Sequence, residues 1–432
     1  MGWLVASAAH GPPLEGFVVR YLLEPGAREP RAGERAMPGL APEVTWTASE
    51  DPVALRGVAC AYARIESAAA EVRMARLTGG AVLFVNGEPF PGDPQRWGFQ
   101  GVPVALQEGA NELYVIDAPD GFELELWKPA RRMVVGNWDF NWWAWTGVAS
   151  GPWDLAVPLF NASTEEAEFV HFHYGRAVAD PSARPFATQE WNDGFRIPPL
   201  GVRRALAMSV VRESLPAEAP RAYVPLEVYA GEAEEPARTC VFLQGPAADG
   251  WPVALPGRDG RGGGALRKVL TRADRPAESP LWLVHGTAGS DEEDAALLAL
   301  ARFDSLALEY GGKLAAEVWS DADFGTTYYP GGKWESLPER VTLVLYGNAS
   351  SNLLWPAVLS GAQPALPPEL AEPGPAAGWW WPEAPADNVV VAWASGPAGA
   401  RFALVLRLLS LRPDAGGRRF VAPSAEGGLR IL

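Results

Sequence analysis

The stretch "PLWLVHGTAGSDEEDAALLALARFD" (residues 280–304) reads as an apolar strand, a glycine-bearing turn and a helix. "LWLVH" is apolar throughout, as a strand covered on both faces must be. After the turn, Ala296, Leu300, Phe303, Ala307 and Tyr310 recur at steps of three and four, with Arg302, Ser305 and Glu309 opposite, which predicts an amphipathic helix. Ser290 suits the N-cap, and Asp291, Glu292, Glu293 and Asp294 complement the positive end of the helix dipole. Further apolar strands follow in "AAEVW", "VTLVLYG", "NVVVAWA" and "FALVLRL". Apolar strands interleaved with a helix predict a small, mainly parallel, flavodoxin-like α/β domain over residues 276–432.

Upstream the pattern changes to short strands bounded by Gly, Pro and Asn: "GFVVRYLL", "VACAYARI", "AVLFVNG", "NELYVID" and "GFELELW". In the last, Phe122, Leu124 and Leu126 share one face and Glu123 and Glu125 the other, the period of a half-buried strand. Residues 1–130 are therefore expected to form a jelly-roll-like β-sandwich. "WDLAVPLFN", "EFVHFHYG", "RRALAMSVV" and "YVPLEVYA" predict a second sandwich over 131–245. The aperiodic, glycine-rich stretch that follows predicts a linker over 246–275. The expected class is multidomain α+β: two sandwiches, then the α/β domain.

The chain has 432 residues, of which 48% are hydrophobic, enough to bury several cores. Its formal charge of −16 opposes nucleic acid and anionic membrane surfaces. No run of 18 apolar residues exists, so a spanning helix is not expected. The start, "MGWLVASAAHGPP", lacks a basic n-region and its apolar run is shorter than a signal core, although "ASA" at 6–8 resembles a cleavage site. Cys60 and Cys240, the only cysteines, are too few for a disulfide scaffold or a structural zinc site. No motif calls for a cofactor.

The turn Gly286–Ser290 presents backbone N–H groups at a helix start, where an anion can bind. The four acids after it repel a phosphate, and no Lys or Arg is adjacent, so a plain N-cap is the expectation. His285 precedes the turn at a strand's carboxyl end, where open α/β sheets hold ligands. Thr287, Asp321, Asp323 and Asn348 lie in the same turn or follow other predicted strand ends, and together they form the candidate α/β site. The competing account is ordinary turn chemistry. His171 and His173 share one face of a strand, but a third metal ligand would have to be a carboxylate, and no metal site is expected there.

"GNWDFNWWAWTGVASGPW" (residues 136–153) is the candidate binding stretch. Trp138, Trp142, Trp143 and Trp145 can stack on the apolar faces of sugar rings, with Asp139 and Asn141 for the hydroxyls. The competing account is packing between the two sandwiches, because that many exposed rings would form a patch that monomers seldom tolerate.

"AVLFVNGEPFPGDPQRWGFQGVPVALQEGANELYV" (residues 81–115) resembles the jelly-roll accessory domain of sugar-active enzymes, where a strand ending in V-N-G is followed by an L-x-x-G-x-N-x-L turn. It is similar also to the leading sandwich of large, multidomain prolyl-oligopeptidase-like hydrolases of bacteria. A terminal α/β module in those proteins carries strings like residues 281–304 and "VLYGNASSNLLW". The resemblance implies a serine nucleophile in a G-x-S-x-G elbow, with Asp and His following. This chain contains no G-x-S-x-G, and no segment long enough for the hydrolase domain. The expectation is a non-catalytic binding or assembly protein whose partner is a carbohydrate, another protein or a second copy of itself. The alternative is a hydrolase-like enzyme with its site at the strand ends of the α/β domain.

Overall fold

The computed structural model describes residues 2–7, 29–34, 44–53, 55–94, 96, 101–136, 152–174, 189–211, 221–230, 236–244, 281–312, 316–328, 341–359, 376–384, 388–395, 420–423 and 429–431. They are mostly β-strand, with few helices. The Trp138–Trp145 stretch, the 246–275 segment and the strand expected at "FALVLRL" lie outside the described residues.

The N-terminal block contains β1 (Trp3–Ser7), β2 (Thr47–Ser49), β3 (Val58–Ser67), β4 (Glu71–Thr78), β5 (Val82–Val85), β6 (Glu88–Pro91), β7 (Val102–Leu106), β8 (Gly109–Ala118) and β9 (Glu123–Trp127). A six-stranded sheet, β2-β1-β3-β8-β5-β6, and a three-stranded sheet, β7-β4-β9, share one apolar core that includes Leu83, Val115, Met74 and Val104. The alternation read at 122–127 holds: Phe122 is buried, Leu124 and Leu126 pack against the core, and Glu123 and Glu125 face solvent. Cys60 is a free thiol buried in β3, and burial pushes its pKa up.

The V-N-G and L-x-x-G-x-N-x-L strings have a joint physical basis. Asn111 is fully buried, and its Oδ1 accepts from the Gln107 N–H and from Asn86 Nδ2, each at 2.8 Å. Its Nδ2 donates to the carbonyl oxygens of Gln107 and Gly109. One carboxamide thereby pins the turn between β7 and β8 to the turn between β5 and β6.

The next block holds β10 (Met133–Val135), β11 (Pro152–Asn161), β12 (Ala167–Tyr174), β13 (Gln189–Ile197), β14 (Val202–Val211), β15 (Arg221–Ala230) and β16 (Ala237–Gln244), in sheets β10-β11-β14 and β13-β12-β15-β16. His171 and His173 stand on β12, and their side chains are outside the described residues.

The last block runs β17 (Leu281–His285), α1 (Asp291–Gly312), β18 (Ala316–Ser320), α2 (Asp321–Tyr328), β19 (Thr342–Gly347), α3 (Trp355–Leu359), β20 (Ala376–Ala384), β21 (Asn388–Ser395), β22 (Phe420–Pro423) and β23 (Leu429–Ile431). Its sheet order is β18-β17-β19-β21-β20-β22-β23. The first four strands are parallel, as expected from their apolar runs. The remaining three pair antiparallel, so the sheet is mixed rather than mainly parallel. The tryptophan run Trp379–Trp381 lies in β20, which pairs antiparallel with β21.

Helix α1 joins the three blocks. Leu297, Leu300, Ala301 and Phe303 are buried, as the periodicity requires. The polar positions opposite them are buried as well: Arg302, Ser305 and Glu309 are 6%, 1% and 5% exposed. The Arg302 guanidinium donates to the Pro199 carbonyl oxygen at 2.7 Å and forms an ion pair with Glu88 of β6. Ser305 Oγ donates to the Val202 carbonyl oxygen, and Arg204 Nε donates to both carboxylate oxygens of Glu309, at 2.9 and 3.1 Å. Leu306, on the same helix, belongs to the apolar cluster that runs through the N-terminal block and takes in Phe160, Ala162 and Val202. Where a helix is covered on its polar side as well, its buried polar groups need partners, and these bonds supply them for Arg302, Ser305 and Glu309.

Candidate functional site at the strand ends

The chain passes from β17 to β18 on one side and then back across to β19 on the other. The direction of winding therefore reverses between β17 and β19, the position where open α/β sheets form a ligand crevice. Here the two loops that would border the crevice are bonded to each other. The Gly286 N–H donates to the Tyr346 carbonyl oxygen at 3.2 Å, and the Ala288 N–H to the Ser351 carbonyl oxygen at 3.0 Å. The approach is close enough that a Cβ on Gly286 would stand 2.2 Å from the Ser351 oxygen. Gly347, with φ at +121°, turns the chain out of β19 into this contact.

Side chains complete the closure. Asn352 is fully buried, and its Nδ2 donates to the carbonyl oxygens of Tyr346 and Val284 at 3.0 and 3.3 Å. Asn348 Oδ1 accepts from the Ser350 N–H and hydroxyl and from the Ser351 N–H, while its Nδ2 donates to Glu293 Oε1 at 3.2 Å. Thr287 Oγ1 donates to Asp321 Oδ1 at 2.5 Å, and the Leu353 N–H donates to Asp321 Oδ2 at 2.5 Å. Asp321, only 1% exposed, so ties the loops after β17 and β19 to the start of α2.

Asp323 is employed differently. Its N–H donates to Ser320 Oγ, whose hydroxyl donates back to Asp323 Oδ2, a reciprocal cap on α2. The same carboxylate pairs with Arg196 of β13. His285 is buried, with Nδ1 placed to donate to the Gly286 carbonyl oxygen at 3.2 Å. Burial pulls its pKa below the ordinary histidine value, against the opposing pull of the Gly286 carbonyl and the Asp321, Asp294 and Asp323 carboxylates. The structure thus brings Thr287 and Asp321 into direct contact, sets His285 in their field, anchors Asn348 to α1 and turns Asp323 away to a cap.

At the helix start the Glu293 N–H donates to Ser290 Oγ at 3.3 Å, and the Asp294 N–H to the Ser290 carbonyl oxygen. Asp294 Oδ1 reaches back to the Gly289 N–H at 3.1 Å. Burial, with Asp321 and Asp291, raises the Asp294 pKa against the lowering by the Gly289 bond and by His285. Ser290 is the N-cap, and among the described residues no hydrogen bond joins it to His285. Nor do His, Cys, Asp and Glu side chains among the described residues form a group of three or more that could hold a metal ion.

Sequence reasoning missed Ser351, Asn352 and the inward role of Glu293. The signal was "GNASSN" after a strand, a string of small polar residues that bond to their own backbone.

No family model and no curated protein matches the chain. Among solved structures it is similar to a β-glucuronidase from Parabacteroides merdae with glycerol in its active site, at 11% identity and a TM-score of 0.28, over 56% of this chain and 34% of that one. The chain thus spans about a third of that enzyme's length. It is similar also to a GH2 β-galacturonidase from Eisenbergiella tayi bound to galacturonate, at 10% identity and a TM-score of 0.26, over 72% of this chain and 63% of that one. A third likeness is the exo-chitosanase CsxA from Amycolatopsis orientalis, at 9% identity and a TM-score of 0.24, over 67% of this chain and 41% of that one.

Proposed function

We propose that this chain is a non-catalytic binding module, built as a jelly-roll-like sandwich, a second sandwich and an α/β unit on a mixed sheet. In this reading it is the accessory part of a prolyl-oligopeptidase-like architecture without the hydrolase, and its ligand is a carbohydrate. The observation that carries it is the closed crevice: where such a sheet would hold a substrate, Ala288 bonds to Ser351, and the polar side chains of Thr287, Asp321, Asn348 and Asn352 bond to the loops and to one another. Tryptophan usage supports the ligand class, since 19 such residues are many for this length and their rings suit sugar faces.

A hydrolase-like enzyme at the strand ends is the second reading, favoured by one observation. His285 is kept neutral by burial, and among the described residues its Nε2 has no hydrogen-bond partner, so it has the form of a base. Incubation with a fluorophosphonate probe separates the two readings. The binding module stays unlabelled, whereas stoichiometric labelling at Ser290 that disappears in a His285→Ala variant would establish the enzyme.

A further inference from the structure

An aromatic cluster stands at one edge of the seven-stranded sheet, where β18 is the terminal strand among those described. Trp282 of β17 and Phe324 of α2 are buried and form its floor, with ring centroids 5.1 Å apart. Trp319 of β18 and Tyr328 at the end of α2 lie above them, both partly exposed. Tyr328 lies over Trp282 at 4.5 Å with a tilt of 31°. Trp319 meets Tyr328 and Phe324 only at steep angles, 84° and 78°. Among the described rings the indole of Trp319 therefore has no parallel partner.

Polar groups of two blocks converge on the same place. Glu317, two residues before Trp319 and so on the same face of β18, accepts from the indole Nε1–H at 3.3 Å. Its other oxygen pairs with Arg203 of β14 at 2.8 Å, and these two side chains keep 25% and 21% of their surface exposed. Burial raises the Tyr328 pKa, Glu317 raises it further and Arg203 opposes both, so the phenol stands in the field of the pair as a neutral donor. Both charged side chains keep part of their surface exposed beside a partly exposed indole, while the Arg203 guanidinium also stands over the Phe195 ring at 4.8 Å.

We infer that this edge is a carbohydrate subsite for a neutral, gluco-configured pyranose, which stacks on Trp319 and places its hydroxyls against Glu317 and Arg203. The inference rests on the carbohydrate-binding reading above and gives that reading a location. Equatorial hydroxyls leave axial C–H groups on a flat sugar face, the partner that an indole takes. Charge selects the neutral sugar: nearby Arg196 is already shared between Asp323 and Glu166, so among the described residues Glu317, Asp323 and Glu166 outnumber Arg196 and Arg203. A uronic acid would meet a net negative edge.

The test is titration calorimetry of the full chain with cellohexaose and with trigalacturonate, alongside ¹⁹F spectra of 5-fluorotryptophan-labelled protein in which Trp319 is assigned from a Trp319→Phe variant. The expected result is binding of cellohexaose with a shift of the Trp319 resonance, about tenfold weaker binding in Trp319→Ala, and a smaller loss in Trp319→Phe, which keeps the packing. Trigalacturonate is expected to bind at least about tenfold more weakly than cellohexaose. Should Trp319→Ala fail to fold, the resonance shift and Trp319→Phe decide. Unchanged affinity in the folded variants, or no shift at Trp319 on binding, moves the site elsewhere and overturns this inference while leaving the binding module standing. Equal binding of trigalacturonate overturns the neutral ligand. Absence of binding to cellohexaose, laminarihexaose, xylohexaose and mannohexaose alike overturns both this subsite and the carbohydrate reading.

Discussion

The guanidinium of Arg302, on the helix of the C-terminal sheet, donates to the carbonyl oxygen of Pro199 at 2.7 Å, and so fixes that helix to the turn between β13 and β14. The same group pairs with Glu88 in the N-terminal block, and burial lowers its pKa to about 10. Replacing Arg302 by Met leaves a carboxylate and a carbonyl without their donor. The expected loss of stability is about 2–3 kcal/mol, below the 3–5 kcal/mol of a fully buried pair because Glu88 keeps some contact with water. Urea denaturation measures it, and adding Glu88→Leu is expected to restore much of the loss.

His285 predicts a dependence on pH. Its pKa in the fold is lowered by burial, so as pH falls below the ordinary histidine value the unfolded chain takes a proton that the native state resists. The unfolded state then binds more protons, and stability drops as pH falls from about 6.5 towards the lower native value. Urea midpoints measured between about pH 7.5 and pH 5 are expected to fall more steeply for the wild type than for His285→Gln, the shared carboxylate background cancelling in the comparison.

Gly286 has no room for a side chain against the Ser351 oxygen. Gly286→Ala is expected to force the two loops apart at a cost of roughly 1–3 kcal/mol. Amide exchange at Ala288, whose N–H bonds to Ser351, is expected to accelerate in that variant. Unchanged exchange would show that the loops tolerate the methyl group and that their contact is not what closes the crevice.

Asn111 predicts a local but costly defect. Asn111→Ala strips partners from the Gln107 N–H, from Asn86 and from two carbonyl oxygens. The expected loss is roughly 2–4 kcal/mol, since each buried polar group left alone costs about 1–3 kcal/mol and some of these turn groups reach water. Asn111→Asp keeps only the accepting half and is expected to recover little. Thermal melting of the two variants checks the order.

The parts of this architecture legible from sequence were those governed by local rules. The apolar run of β17, the Ser290 cap and the alternation at Phe122–Trp127 each follow from spacing within about ten residues. What covers an element is a different kind of information. The stripe on α1 marks an apolar face, but the burial of Arg302, Ser305 and Glu309 depends on Glu88, Pro199, Val202 and Arg204, which no period in the helix can reveal. Likewise His285, Thr287, Asp321 and Asn348 were placed at strand ends by their positions after apolar runs. Whether the crevice there is open depends on backbone contacts such as Ala288 to Ser351, whose only trace in the sequence is the glycine that permits them.

The wide sequence separation of the α1 contacts also bears on synthesis. Arg302 and Pro199 are 103 residues apart, and Arg204 and Glu309 are 105 apart. At a translation rate of about 5–20 residues per second, roughly 5–20 s pass between the emergence of the β14 region from the ribosome and that of its helix. Through that interval the Val202 carbonyl, the Arg204 guanidinium and the Glu88 carboxylate have no α1 beside them, and the apolar cluster lacks Leu306.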